Sequence, residues 1–114
     1  MRVGIDIIEQ ARFEKIKSSH LEKIFTPQEL DYAFSANIPM RLAGIYACKE
    51  AFVKALGVGI ASVGLRNIEV GHLPSGKPIL LLSDQLKQTY NITDLDVSIS
   101  HTNTMATAIC VIAD

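Results

Sequence analysis

The chain has 114 residues, of which 48 % are hydrophobic and 20 % charged. This length and composition predict one folded domain, residues 1–114, exclude a disordered chain, and leave enough apolar surface that some is expected to be buried between subunits. The net charge of −1 argues against a nucleic-acid partner, and no apolar stretch approaches the ~18 residues that a membrane span needs.

The first segment, residues 2–8, alternates as a strand does. Val3, Ile5 and Ile7 share one face, and Asp6 shares the other with Gly4, whose missing side chain leaves room above the backbone. Aspartate is disfavoured in strands. Asp6 therefore either caps a turn at a strand end or serves a cation or a donor, and its position alone does not decide between the two.

The beginning of the chain does not predict a signal peptide, because it has one basic residue and then an acidic one. Cys48 and Cys110 are isolated and form no CxxC pair, which favours reduced cysteines in the core. Together these features predict a cytoplasmic protein.

Two helices are expected next. Residues 9–17 predict a helix with Arg12 and Lys15 among its polar positions, ended by residues 18–20. A second, short helix follows Thr26, which can cap it with Pro27 in the first helical position and Glu29 completing a capping box. The cap gives Glu29 a structural role, so it is set aside from the chemistry.

The longest helix-favouring run is residues 41–60, with an end predicted at Gly57. One face is apolar, with Ile45, Cys48, Phe52 and Leu56; the opposite face carries small residues together with Tyr46, Glu50 and Lys54, and Lys49 lies at the boundary. Glu50 and Lys54 form either an ordinary surface pair one turn apart or part of a site that a ligand can approach closely. The glycines after this helix predict a turn that can lie beside a ligand.

The second half predicts strands at residues 67–73, 78–82, 96–101 and 105–113, the last two forming a hairpin, and a helix at 84–90 capped by Ser83. The fold class is α+β. Ser100 and His101 are adjacent on a strand and point to opposite faces, so they do not form a nucleophile–base pair. The remaining chemistry is a set of hard oxygen ligands and cations, namely Asp6, Glu50, Lys49, Lys54 and His101. Two carboxylates with nearby lysines are typical of Mg²⁺-assisted chemistry on a diphosphate.

Five short motifs in order along the chain complete the pattern. They are Gly4-Ile5-Asp6-Ile7; Phe25-Thr26-Pro27 with Glu29; Lys49-Glu50-Ala51-Phe52 with Lys54-Ala55-Leu56-Gly57; Gly76-Lys77-Pro78; and Ser98-Ile99-Ser100-His101. With these motifs the sequence resembles the holo-acyl-carrier-protein synthase family, the short form of the 4′-phosphopantetheinyl transferases. The resemblance covers nearly the whole chain.

This resemblance implies Mg²⁺-dependent transfer of 4′-phosphopantetheine from coenzyme A to a serine of apo-acyl carrier protein, in fatty acid biosynthesis. It implies that Asp6 and Glu50 hold Mg²⁺ and that Glu50, or a water it orients, is the base. Lys54 and Gly57 would lie at the coenzyme A diphosphate, and Lys49 and His101 at the nucleotide. Arg12 and Lys15 would dock the acidic carrier protein.

The resemblance further implies a small mixed or antiparallel sheet packed on the central helix, and a homotrimer with active sites between subunits. One position departs from the family pattern. Ile45 stands where an arginine that contacts a coenzyme A phosphate is usual, five residues before the glutamate. Arg41, one turn earlier on the same helical face, is a candidate to replace it.

Overall fold

The structure, a computed structural model, describes residues 1–114. Its strands are β1 (Arg2–Glu9), β2 (Ile68–His72), β3 (Pro78–Leu82), β4 (Leu95–His101) and β5 (Met105–Ile112). Its α-helices are α1 (Ser18–Ile24), α2 (Pro27–Phe34), α3 (Ile38–Leu56), α4 (Ile60–Val63) and α5 (Asp84–Thr89). Two short 3-10 turns, Gln10–Phe13 and Leu65–Asn67, complete the chain. This arrangement confirms the α+β prediction.

The strands form two antiparallel sheets. The larger has the order β1-β5-β4 and the smaller pairs β2 with β3. In the larger sheet Asp6 lies opposite Ala108, which in turn lies opposite Ile99 on β4. The predicted hairpin of β4 and β5 is confirmed. The last strand, β5, also pairs with the first strand, β1, so both ends of the chain meet in this sheet.

Local capping signals fix the ends of two helices. Thr26 accepts a hydrogen bond from the backbone N–H of Glu29, and the Glu29 carboxylate accepts one from the N–H of Thr26, so the predicted capping box is present. Helix α3 ends where Gly57 adopts a left-handed conformation with φ of 74°. The same helix begins earlier than predicted, at Ile38, because Pro39 fits its first turn.

Helix α3 is buried on nearly all sides. The predicted apolar residues Ile45, Cys48 and Phe52 are buried, but so are Ala43 and Ala47 on the opposite side. The larger sheet covers one side of α3, and α2 and β2 lie against it elsewhere. Small residues on the helix therefore serve close packing with neighbouring backbone.

The two cysteines lie inside this core, as predicted. Burial raises the pKa of the Cys48 thiol to about 12 and that of Cys110 to about 11. Both are therefore held as inert thiols at neutral pH.

The prediction of a helix over residues 9–17 is wrong. Strand β1 continues to Glu9, and the N–H of Gln10 donates to the carbonyl of Thr104, which extends the contact with the β4–β5 hairpin. Only a 3-10 turn follows, and the next helix begins at Ser18, where the sequence predicted a break. No helix in the structure is both long and apolar enough to cross a membrane.

Candidate active site

Strand β1 and helix α3 approach each other most closely at Gly4. A Cβ atom on Gly4 would lie 1.9 Å from the carbonyl oxygen of Ala51 and 2.6 Å from the amide nitrogen of Ala55. Only glycine fits this crossing. Because Asp6 is two residues further on the same strand face, the crossing places its carboxylate directly against the last turns of α3.

The first cluster of the site lies beside this crossing. Lys54 Nζ lies 3.0 Å from Asp6 Oδ1 and 3.1 Å from the carbonyl oxygen of Ile5. The Asp6 side chain is only 15 % exposed, whereas that of Lys54 is 54 % exposed. The structure thus pairs Lys54 with Asp6, rather than with Glu50 as the surface-pair interpretation had it. Glu50, half-buried one turn before Lys54, lies on the same face of α3.

Glu50 also has a neighbour that the sequence analysis did not assign. Tyr46, one turn earlier, has a raised pKa, because its hydroxyl is partly buried and the negative charge of Glu50 disfavours the phenolate. Arg12 Nη2 lies 3.4 Å from the same hydroxyl, and its guanidinium lies 4.8 Å from the centre of the Tyr46 ring. Helical spacing of four residues from Glu50 was the signal that could have found Tyr46.

Lys49 corrects one expectation. Its ammonium group is fully buried, where it donates to the carboxylate of Glu29 at 2.6 Å and to the carbonyl oxygens of Ile24 at 2.9 Å and Leu65 at 2.8 Å. Burial lowers the Lys49 pKa, and the charge of Glu29 opposes that shift. All three ammonium protons are used. Lys49 therefore ties four segments together and does not reach a nucleotide.

A second cluster lies at the other end of α3, around a cavity of about 190 Å³ lined by Arg41, Ile45, Tyr32, His72 and His101. The Arg41 guanidinium lies 4.2 Å from the centre of the Tyr32 ring, and Nη1 donates to the Tyr32 carbonyl at 2.7 Å and to Ser35 Oγ at 2.8 Å. This arrangement holds the cation at the edge of the cavity.

Tyr32 and His72 were not predicted in this site. Their rings are stacked, with centroids 3.8 Å apart. Burial, together with the positive charge of Arg41, lowers the His72 pKa. A histidine at a strand end and a tyrosine on a short helix carry no local signal of their meeting, because 40 residues separate them in the chain.

One chain does not bring the two clusters together. Arg41 and Glu50 are nine residues apart on one helix, which at 100° per residue places them on opposite sides of α3 and about 13 Å apart along its axis. Gly57, at the end of the helix, belongs with the Lys54 end, and a Cβ atom there would meet nothing within 4 Å. Arg12 and Lys15 are both exposed, and Arg12 lies beside Tyr46, one turn before Glu50.

The chain is similar to known proteins of one superfamily. The sequence profile of the 4′-phosphopantetheinyl transferase superfamily matches residues 2–110. The chain belongs to this superfamily. The holo-[acyl-carrier-protein] synthase of Caldicellulosiruptor saccharolyticus is 42 % identical, over 98 % of this chain and 94 % of that protein. The enzyme of the same name from Campylobacter jejuni is also 42 % identical, over 98 % and 99 % of the two chains.

Solved transferase structures share the fold. The holo-[acyl-carrier-protein] synthase of Helicobacter pylori in complex with coenzyme A matches with a TM-score of 0.90 and 33 % identity, over 97 % of this chain and 99 % of that one. A Bacillus anthracis synthase in complex with coenzyme A (3′,5′-ADP) matches with a TM-score of 0.83 and 36 % identity, over 97 % and 94 %. These matches confirm the resemblance to the phosphopantetheinyl transferases.

The departure at Ile45 has a structural setting in this transferase. Ile45 is 1 % exposed and lines the same cavity as Arg41 and His101. The cavity is therefore lined by one arginine, Arg41, which lies one turn before Ile45 on α3.

Proposed function

We propose that this chain is a phosphopantetheinyl transferase that moves 4′-phosphopantetheine from coenzyme A to a serine of apo-acyl carrier protein. Family membership and similarity to named holo-[acyl-carrier-protein] synthases support the enzyme class. The observation that carries the proposal is the Gly4 crossing, which sets Asp6 beside Lys54 and the Glu50 face of α3. The reaction belongs to fatty acid biosynthesis in the cytoplasm.

The donor set fits a magnesium ion. Asp6 and Glu50 supply two carboxylates from two elements, and the chain has no group of three or more acidic, cysteine or histidine side chains that would form a complete cage. Mg²⁺ is usually bound by one or two carboxylates together with substrate phosphates. When bound, the ion neutralises charge on the transferring phosphoryl group.

The residues of the first cluster then have separate roles. The carrier serine oxygen forms a bond to the phosphorus that bears pantetheine, while the bond between this phosphorus and the bridging oxygen breaks. Adenosine 3′,5′-bisphosphate leaves with that electron pair. Glu50, directly or through a water, takes the serine proton. Lys54, more than half exposed, balances diphosphate charge.

The second cluster is assigned to the nucleotide end of coenzyme A. Arg41 and His101 line one cavity and are both suited to bind phosphate oxygens. Arg41 replaces the arginine missing at Ile45. Replacing Arg41 with alanine should raise the Michaelis constant for coenzyme A, with Arg66→Ala, which removes an arginine away from this cavity, as the control. An unchanged Michaelis constant in Arg41→Ala would reject the assignment.

A trimer would complete the site. The two clusters lie on opposite sides of α3, so a cleft between subunits can pair one cluster from each chain. A self-association surface is available, because Val3, Ile5 and Ile7 are each more than 60 % exposed and Ile109 on the neighbouring strand is 39 % exposed. Contiguous exposed apolar surface of this kind typically marks an interface. Arg12 and Lys15 dock the acidic carrier by charge complementarity.

The deciding experiment is intact mass spectrometry of an apo-acyl carrier protein incubated with this chain, coenzyme A and Mg²⁺. A mass gain of one phosphopantetheine group is expected. The gain should be lost with Glu50→Gln and with a chelator. No gain with several carrier proteins, from a folded sample, would replace the enzyme proposal with a binding module that keeps the fold.

A further inference from the structure

Tyr46 lies between two residues to which the proposed function gives different tasks. Its hydroxyl oxygen accepts a hydrogen bond from Arg12 Nη2 at 3.4 Å. Glu50 follows one helical turn later on the same face of α3, and its negative charge contributes to the raised Tyr46 pKa. A phenol can accept one hydrogen bond and donate another. Tyr46 accepts from Arg12 and therefore keeps its hydroxyl proton free to donate towards Glu50, its neighbour on the same helical face.

Aromatic packing holds the Tyr46 ring in one orientation. Phe13 packs against it with ring centroids 5.6 Å apart, and Phe13 in turn contacts Phe25 at 5.7 Å. Phe13 is only 4 % exposed and directly follows Arg12 in the same 3-10 turn. The buried side chain of Phe13 therefore fixes the backbone of Arg12 next to the Tyr46 ring. The Arg12 side chain itself remains exposed and accessible to a partner.

We propose that Tyr46 is a positioning residue that couples the carrier-docking Arg12 to the orientation of the Glu50 carboxylate. This inference rests on the proposed function. The phenol donates to Glu50 and limits the directions in which the carboxylate can turn. Arg12 holds the phenol in that orientation, so that docking of the acidic carrier and alignment of the base occur on one connected set of side chains. A plain docking role for Arg12 would not need the tyrosine hydroxyl.

The contact can be tested without activity. Tyr46 is one of three tyrosines, so labelling tyrosine with ¹³C at the ζ carbon gives three NMR signals, and the Tyr46 signal is the one lost in Tyr46→Phe. We expect this signal to move in Glu50→Gln and in Arg12→Ala, while the Tyr32 and Tyr90 signals stay in place. An unchanged Tyr46 chemical shift in both variants would overturn the proposal.

The coupling can be tested by kinetics. Tyr46→Phe keeps the ring packing and should lower kcat by about tenfold, the usual lower bound for losing an orienting partner of this kind. The Michaelis constant for coenzyme A should not change, and Tyr90→Phe, the loss of a tyrosine hydroxyl away from the site, should leave kcat unchanged. Matching melting temperatures of Tyr46→Phe and wild type separate positioning from folding.

A double-mutant cycle gives the decisive outcome. Arg12→Ala should raise the Michaelis constant for the carrier and also lower kcat. In the Tyr46→Phe background the same substitution should raise the Michaelis constant by the same factor but leave kcat unchanged. Additive losses in kcat would overturn the coupling. An active wild type with an unaffected Tyr46→Phe would reject only this inference, whereas a wild type that transfers nothing would reject the proposed function with it.

Discussion

Replacing Gly4 with alanine tests whether the crossing of β1 and α3 holds the site together. The new Cβ atom would begin 1.9 Å from the Ala51 carbonyl oxygen, whereas an ordinary contact begins at 3.4 Å, so the two backbones must separate by about 1.5 Å. Both obstacles, Ala51 O and Ala55 N, are backbone atoms and cannot rotate away. Overpacking of a close-packed core costs typically ~1–3 kcal/mol, and a backbone clash belongs at the upper end of that range.

This separation has two measurable consequences. A loss of ~3 kcal/mol in a domain of this size lowers the melting temperature by roughly 12 °C or more. The same displacement of β1 moves Asp6 Oδ1 away from Lys54 Nζ, which lies 3.0 Å from it in the wild type. Misplacement of a catalytic group by about 1 Å can cost ~10²-fold in rate. Calorimetry and the carrier-modification assay, at one protein concentration, measure the two effects separately.

Gly71→Ala is the matched control for this substitution. Gly71 also lies within a strand, but its added Cβ would meet only the side chains of Ile79 and Leu81, at 3.4 Å or more. We expect Gly71→Ala to melt close to the wild type. If Gly4→Ala melts within about 2 °C of the wild type and retains its kcat, then the crossing does not set the site and the reasoning is wrong.

Three further substitutions test other parts of the structure. Lys49→Met leaves the buried Glu29 carboxylate without its cation and should cost about 3–5 kcal/mol in urea unfolding; a loss below ~1 kcal/mol would contradict the structural role of Lys49. The pKa of His72 is lowered in the folded chain, so the unfolded chain binds the proton more tightly and wild-type stability should fall as pH drops below about 6.5. The free energy of unfolding of His72→Gln should fall less over that pH range. An equal fall in the variant and the wild type would reject this account. Ile5→Lys puts a charge on the exposed face of β1 and should yield monomers in light scattering with no transferase activity; an unchanged mass would exclude this face from the interface.

The sequence predicted those features whose signals are local. The capping box at Thr26, the helix end at Gly57 and the β4–β5 hairpin each depend on residues a few positions apart, and all are present. Asp6 was singled out as an aspartate that a strand does not favour, and the structure places it within β1 with Lys54 3.0 Å away. The need for glycine at position 4 was underestimated, because the clash comes from backbone about 50 residues away in the chain.

The features that the sequence did not predict depend on contacts between distant segments. Lys49 looked like a boundary residue of an amphipathic helix, but its acceptors come from Ile24, Glu29 and Leu65, in three separate segments. The failed helix over residues 9–17 has the same origin, since the hydrogen bond from Gln10 to Thr104 is formed only when both ends of the chain meet. Helical periodicity contains no information about such partners.

Strand β1 carries two unrelated requirements on its two faces. Gly4 and Asp6 point towards α3, while Ile5 and Ile7 point outwards. Tolerance to substitution along this strand should therefore alternate residue by residue, with shape and charge constrained on one side and apolar character on the other. A one-residue slip in the pairing of β1 with β5 would exchange the two faces, placing Val3 or Ile5 at the Ala51 carbonyl and turning the aspartate outwards. The proposed subunit interface and the proposed active site thus both depend on the register of one eight-residue strand.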